Sequence, residues 1–383
     1  MSTETGVEKS LENLKVEDKP VATPAAAPAK PAIELSEKNK ERLELIKQVG
    51  EEIISEESLI RLLNGKERLR CYDGFEPSGR MHIAQGILKS INVNRMTKAG
   101  CTFIFWVADW FAMLNNKMNG DLNKIRKVGQ YMIEIWKATG MDMENVEFLW
   151  SSDEINKNPN DYWLRVMDIA RKFNVPRIKK CSQIMGRNEE DDLMCAQLLY
   201  PCMQCADIFY LKADICQLGM DQRKVNMLAI EYCDKVKIKN KPIIVSHHML
   251  SGLKEGQEKM SKSDPESAIF MEDTEADVNT KIKKAYCPPG IIEKNPILDY
   301  TKHIVFQKVE SLTINIKDQG EVVYTSYQQL EDDYKAEKIH PSELKPVIAK
   351  AINAMLQPVR DHFANNPEAA ALLKTVRSYA VTR

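Results

Sequence analysis

Two periods of apolar residues alternate along this chain. Residues 101–108, CTFIFWVA, form an unbroken apolar run closed by Asp109, the pattern of a parallel strand buried on both faces. Shorter apolar runs at 68–75, 146–150, 208–218 and 242–246 read as further strands. Between them, apolar positions return every three or four residues. This spacing predicts helices over 36–54, from the turn after Phe75 to Lys98, and over 123–139, 162–173 and 193–207. Strands alternating with helices predict an α/β fold, a Rossmann-like doubly wound parallel sheet whose ligands sit at the carboxyl ends of the strands.

The pattern changes near both ends. Residues 1–38 carry VATPAAAPAKPA between charged stretches, with no apolar period able to form a buried face, and read as a disordered N-terminal tail. The tail has no arginine and includes Glu4, Glu8, Glu12 and Asp18, which argues against an organellar transit peptide. From about residue 270, helices with acidic and basic faces surround a short polar β-like stretch at 311–324. The expected division is therefore a Rossmann-like domain at 39–270 and a mainly helical C-terminal domain at 271–383.

Composition narrows the choice of partners. A chain of 383 residues that is 43% hydrophobic can bury a sizeable core. Lys+Arg 54 against Asp+Glu 55 give a net charge of −1, which excludes a generally basic nucleic-acid binder. Any such surface must be local, the candidate being Arg171, Lys172, Arg177, Lys179 and Lys180. Nine irregularly spaced cysteines suit reduced thiols in the cytoplasm, and no run approaches the roughly 18 apolar residues of a membrane span. Cys202 and Cys205 have CxxC spacing but no second pair, so they read as core residues and no metal ligands are expected.

Four segments carry candidate chemistry. After the strand at 68–75, Gly74, Pro77 and Gly79 shape a turn into a helix that begins near His82. Such a turn sets free backbone N–H groups and the positive end of a helix dipole against a phosphate, and His82 can donate to charge developing there. Far downstream, Lys259-Met260-Ser261-Lys262-Ser263 places two lysines among hydroxyls behind Gly252 and Gly256, a loop able to swing positive charge onto a polyphosphate and release it. Between these, Tyr200, Gln204 and Asp207 form a polar stripe on a helix beside Leu199, Met203 and Ile208. Burying such groups unpaired costs roughly 1 to 3 kcal/mol each, so the stripe either binds a ligand or joins a buried network. Gly219-Met220-Asp221-Gln222 then stands at a strand end, where Gly219 can admit a sugar and Asp221 can bind its hydroxyls.

Taken together, Gly74 to Gly79, His82-Ile83-Ala84-Gln85, the Tyr200 to Asp207 helix, Gly219 to Lys224 and the Lys259 to Ser263 pentapeptide resemble the class I aminoacyl-tRNA synthetases. The resemblance is greatest to the tyrosyl-tRNA synthetases of the eukaryal and archaeal type and runs from about residue 40 to the end. It implies L-tyrosine, ATP with Mg2+ and tRNA(Tyr) as substrates and partners, in an enzyme that is usually a homodimer. By the same resemblance Tyr72 and Asp207 hold the tyrosine hydroxyl, while Tyr200, Gln204 and Gln222 surround the amino end. The ATP site takes Gly74, Pro77, His82, Gly219, Asp221, Lys259, Ser261 and Lys262, of which His82, Lys259 and Lys262, with Gln85, serve the chemical step. The C-terminal domain reads the anticodon, with Glu343 at a helix start where an aspartate is common. Where the family signature has a glycine and a second histidine, this chain has Ala84 and Gln85.

The implied reaction forms tyrosyl adenylate and pyrophosphate, then transfers tyrosine to the 3′ end of the tRNA. Two other readings stand beside it. A tryptophanyl-tRNA synthetase shares the fold and signatures, and Tyr72 with Asp207 favours a phenol over an indole. A non-catalytic RNA-binding paralogue is suggested by Ala84 and Gln85 and opposed by the intact lysine loop.

Overall fold

A central six-stranded sheet, in the order β1-β6-β5-β2-β3-β4, carries the rest of the molecule. The computed structural model describes residues 34–185, 192–260, 262 and 264–379, so the expected tail up to residue 33, and Ser261, lie outside the described residues. Helix α1 (Glu37–Lys47) starts where the Ser36 hydroxyl accepts from the Asn39 N–H. It ends sooner than the periodicity predicts: Ile53 and Ile54 belong to strand β1 (Glu52–Ile54), which pairs antiparallel with the β6 segment. The helical spacing of those isoleucines is outweighed by the sheet edge that they cover.

After α2 (Glu56–Gly65), strand β2 (Leu69–Phe75) enters the centre of the sheet. A π-helical turn at Ala84–Leu88 leads into α3 (Lys89–Lys98), followed by β3 (Cys101–Val107), α4 (Asp109–Leu114), α5 (Leu122–Ala138) and β4 (Val146–Trp150). Next come α6 (Ser151–Lys157), α7 (Pro159–Ala170), α8 (Val175–Lys179), α9 (Cys195–Tyr210), β5 (Ile215–Gly219), α10 (Arg223–Val236) and β6 (Ile243–His247). The strand expected over 208–218 is thus shorter at its start. Helix α9 runs on to Tyr210 and reverses at Lys212 (φ 51°), because Ile208 and Leu211 bury themselves from the helix and an apolar run alone does not distinguish the two states.

Strands β2, β3 and β4 follow one another in one direction, whereas β5 and β6 lie on the other side of β2. All these neighbours are parallel. The order therefore reverses between β2 and β5, the place where open α/β sheets bind ligands.

The C-terminal part is mainly helical, as expected: α11 (Glu275–Lys284), α12 (Pro296–His303), a hairpin of β7 (Leu312–Ile316) and β8 (Gly320–Tyr324), α13 (Tyr327–Lys335), α14 (Pro341–Asn365) and α15 (Pro367–Arg377). The described residues from Leu35 onward form one compact unit, in which one apolar core runs from Leu43 through to Val376 and a second gathers around Tyr72, Trp106 and Met203.

A short seam joins the first part to the second. His82 makes an antiparallel bridge to Phe270, with Ile83 N–H donating to Ile269 O and Met271 N–H to Met81 O, each 2.9 Å. Arg80 lies 4.0 Å over the Phe270 ring and pairs with the buried carboxylates of Glu272 and Asp273 (2.5 and 3.0 Å). From the far side, Arg360 Nε donates to Asp273 O (2.7 Å) and Arg377 Nη2 to Glu272 O (3.1 Å). Among the described residues no helix is long and apolar enough to cross a membrane.

Candidate active site

A cavity of about 330 Å³ opens at the reversal between β2 and β5. Tyr72, Gly74, His82, Gln85, Tyr200, Gln204, Asp207, Gly219, Asp221, Gln222, Lys259 and Lys262 all line it. Pro77 does not, although its neighbours Glu76 and Ser78 do.

At one end the wall is the turn after β2. Gly79 has φ 127°, a conformation that glycine alone adopts without strain. The chain then enters the π-helical turn, whose second and third residues, Gln85 and Gly86, both direct their N–H groups at His82 O (3.0 Å each). Turns of this kind are frequent at functional sites. Gly86 is set by packing, since a Cβ there would collide with the Met271 side chain.

Both side chains that this turn buries at the cavity lack partners: His82 Nδ1 and Gln85 Oε1 make no hydrogen bond. Orphaned buried polar atoms are rare in folded proteins, and here they face a space in which a polar ligand can satisfy them. Burial, and after it the Lys262 charge, bring the His82 pKa down to about 3, so the imidazole is neutral near pH 7. Lys262 reaches the same turn from the loop after β6, with Nζ 3.0 Å from Ser78 Oγ. Burial and then Lys117 lower it to about 8, while Glu76 acts in the opposite sense. Lys259 Nζ stands 3.6 Å from Asp221 Oδ2. The close approach of Asp221 explains Gly219, where a Cβ would come within 2.7 Å of Asp221 Oδ1 and of Met249 Sδ.

At the other end β2 and α9 supply the wall. Asp207 and Tyr72 are each 1% exposed. Asp207 Oδ1 accepts from the hydroxyl of Tyr162 on α7 (2.8 Å), whereas Oδ2 is buried with no partner. Burial pushes this carboxyl well above the usual carboxylate range, against hydrogen bonding from Tyr162 and from the Trp106 indole, whose Nε1 is likewise buried without a well-formed bond. An acceptor without a well-formed bond, beside the Tyr72 ring, suits a small ligand bearing a hydroxyl on a ring.

The remaining members of the stripe are networked. Tyr200 donates to Glu76 Oε1 (2.7 Å), which also accepts from Asn115 Nδ2 (3.1 Å), and Gln204 Nε2 donates to Gln222 Oε1 (3.1 Å). The two alternatives open for the stripe are thus both realised on one helix: Asp207 faces the cavity with a free oxygen, while Tyr200 and Gln204 join buried hydrogen bonds.

Sequence reasoning missed a second layer. Lys89 is buried, with Nζ 2.5 Å from Asp73 Oδ2 and 3.0 Å from Gln217 Oε1, and Gln217 Nε2 lies 2.7 Å from His247 Nδ1. Burial, with Lys89 second, holds His247 well below the ordinary imidazole range. A lysine inside the apolar stretch around Leu88 and Ile91 was the available signal. For Tyr162 there was none, because only the packing of α7 on α9 brings it to Asp207.

Elsewhere, Arg177 from the basic cluster forms an ion pair with Glu231 (2.7 Å), and Arg171 pairs with Asp168. Cys202 and Cys205 are buried free thiols. Glu343 lies outside the cavity and caps α14: its carboxylate accepts from His340 N–H (2.8 Å) and from Lys317 N–H in the β7–β8 turn (2.7 Å).

Residues 64–357 match the family described as tRNA synthetases class I (W and Y). The chain is 58% identical over 365 residues to a protein of Arabidopsis thaliana named tyrosine-tRNA ligase 1, cytoplasmic, covering 95% of each chain. It is 55% identical over 380 residues to that plant's tyrosine-tRNA ligase 2, cytoplasmic, covering 99% of this chain and 51% of the relative. Among solved structures it is similar to Leishmania major tyrosyl-tRNA synthetase in complex with tyrosinol, with a TM-score of 0.85 and 54% identity over 89% of this chain and 60% of that one. The chain therefore spans nearly all of one of these relatives and only about half the length of the other two.

Proposed function

The chain belongs to the class I tRNA synthetases of the W and Y family, and on that footing we propose that it is a tyrosine-tRNA ligase, activating L-tyrosine with ATP and passing it to tRNA(Tyr). The observation that carries the choice of tyrosine is the unused Oδ2 of Asp207 beside Tyr72, in the cavity that His82 and Lys262 also line. A phenol fits such an acceptor. Phenylalanine leaves it unpaired, and tryptophan presents a larger ring with its N–H elsewhere.

In this reading the tyrosine carboxylate attacks the α-phosphorus of ATP, and the bond to the pyrophosphate oxygen breaks. Charge grows on the phosphorus oxygens and on the leaving group. Lys262 at the glycine turn, Lys259 at the mouth and the neutral His82 imidazole are the groups able to meet it. A terminal ribose hydroxyl of the tRNA then attacks the tyrosyl carbonyl, and AMP leaves. Neither step needs a covalent enzyme group, so catalysis rests on positioning and on fixed charge. Asp73 is held by Lys89, and Glu76 by Tyr200 and Asn115. Mg2+ therefore fits as an ion carried by the phosphates, whose charge it neutralises, and not as one caged by carboxylates.

The division of labour follows the same reading. The 39–270 part activates tyrosine, and the helical 271–383 part, with Glu343 at the start of α14, meets the anticodon. Leu164, Met167 and Val175, exposed on α7 and α8, supply an apolar surface for a homodimer. A cytoplasmic location agrees with nine unpaired cysteines and with the names of the two plant relatives.

Amino-acid-dependent exchange of pyrophosphate into ATP tests the proposal. Tyrosine should support exchange, with tryptophan and phenylalanine at background. Faster exchange with tryptophan would transfer the assignment to that amino acid, and no exchange with any of the three would leave the RNA-binding paralogue.

A further inference from the structure

A cluster of ligating side chains joins the exit of β6 to α12. His248, the residue after the strand, sets Nε2 2.7 Å from Asp299 Oδ1. His303, four residues along α12 from that aspartate, brings its own Nε2 to 3.7 Å from the same oxygen. The two imidazoles stack with centroids 4.1 Å apart and planes at 17°, so both rings address one carboxylate oxygen from neighbouring positions. All three residues are half-buried, and their ligand atoms lie within 4.8 Å of one another. Among the described residues no other set of three His, Cys, Asp or Glu side chains converges in this way.

We propose that His248, Asp299 and His303 bind a divalent transition-metal ion, with Zn2+ the favoured one, and that the ion pins the start of the lysine loop to α12. Two imidazole nitrogens and a carboxylate oxygen are a donor set that Zn2+ takes with a fourth position left open. At metal-ligand distances of about 2.0–2.1 Å, tetrahedral ligand atoms stand roughly 3.3 Å apart. The observed 2.7 and 3.7 Å bracket that separation, and the two stacked rings must turn apart for both lone pairs to meet at one ion.

The surroundings suit a ligand set. Asp299 Oδ2 is already fixed by the Ser251 N–H (2.9 Å), leaving Oδ1 to the metal. Behind His248, Nδ1 is 3.5 Å from Glu51 Oε2. A carboxylate behind a ligating imidazole fixes its tautomer and raises its basicity. When Nε2 gives its lone pair to the ion, the proton of neutral His248 resides on Nδ1, facing Glu51. His248 and His303 also line a second cavity, of about 390 Å³, from which a water or small anion can complete the tetrahedron, with Arg95 and Lys302 in the same wall. Ser251 and His248 open the segment that carries Lys259 and Lys262, so a metal there restrains the loop. Only this last step rests on the proposed function.

Co2+ and Zn2+ titrated into the reduced, full-length chain test the site directly. The expected result is one Co2+ per chain, with the intense visible bands of tetrahedral cobalt, displaced by Zn2+. Glu51→Gln, an exposed change that leaves the fold alone, should weaken binding about 10- to 100-fold. His303→Gln should weaken it further at an unchanged melting temperature. Affinity equal to wild type in both variants, a thiolate-to-cobalt charge-transfer band, or no saturable binding would each overturn the site. Zn2+ should also slow proteolysis within 251–260 in the wild type and not in His303→Gln. Equal cleavage rates with the ion demonstrably bound would overturn the pinning, whatever the exchange assay says of tyrosine.

Discussion

Asp207→Ala separates substrate recognition from stability. The substitution removes the unused Oδ2 at the cavity and the oxygen that accepts from Tyr162. Asp207→Ala leaves the hydroxyl of bound tyrosine buried without its acceptor, which costs about 1–3 kcal/mol, so kcat/KM for tyrosine in pyrophosphate exchange should fall roughly 5- to 150-fold. Phenylalanine, which leaves that oxygen unpaired in the wild type, escapes a penalty of about 1–3 kcal/mol and should improve. Selectivity for tyrosine over phenylalanine therefore narrows from both sides, by about 2–6 kcal/mol in total.

Stability should move differently. Tyr162 loses an acceptor, but a carboxyl whose folded pKa lies well above its unfolded value also disappears. In the wild type the folded state holds this proton after the unfolded state has released it. Asp207 thus subtracts stability as pH rises from about 4 towards its folded pKa. Asp207→Asn, which keeps an acceptor for Tyr162, should gain on the wild type in melting temperature from pH 4 upward. Unchanged selectivity in Asp207→Ala, or an activity loss matched by an equal loss of folding free energy, would refute the reasoning.

Four further outcomes follow from the same geometry. Lys262→Met should lower kcat/KM for ATP by roughly 10²- to 10³-fold, and in the wild type that parameter should decline above about pH 8 as Lys262 loses its proton, with no inflection between pH 5 and 7 because His82 protonates only at about 3. Gly86→Ala should cost about 1–3 kcal/mol in denaturant unfolding through overpacking against Met271, and a smaller residue at 271 should return part of it. Lys89→Met strands the buried Asp73 carboxylate and should cost about 3–5 kcal/mol, whereas Lys89→Met with Asp73→Asn should cost less, as a double-mutant cycle would show. Glu343→Ala should lose about 0.5–2 kcal/mol of helix capping and depress tRNA charging while leaving pyrophosphate exchange intact; equal charging would remove Glu343 from the anticodon reading.

Much of the cavity was legible because its residues sit at places that local rules already mark. The glycine turn follows a strand, Asp221 stands at the end of another, and Asp207 shares a helix face with Tyr200. What the sequence hid is of two kinds. Boundaries were lost where an apolar run suits either state, as when Ile208 and Phe209 stayed helical, or where a sheet edge claimed Ile53 and Ile54 from a helical period. Partners were lost where only tertiary packing creates them. Nothing local ties Tyr162 to Asp207 across 45 positions, or Lys89 to Gln217 across 128. The commitment of Tyr200 to Glu76 was hidden in the same way.

The seam at 269–273 bears on where this chain can be cut. Every residue lining the main cavity lies at or before position 262, so a fragment ended at 270 keeps the complete list of walls. It forfeits their foundation. Without Met271, the bridge beside His82 loses its donor to Met81, and without Glu272 and Asp273, Arg80 and Tyr131 lose the carboxylates that hold them. Truncation there should yield a chain that has all the right residues and a slack floor beneath them, so the helical C-terminal part serves as a buttress for adenylate chemistry even when no tRNA is present.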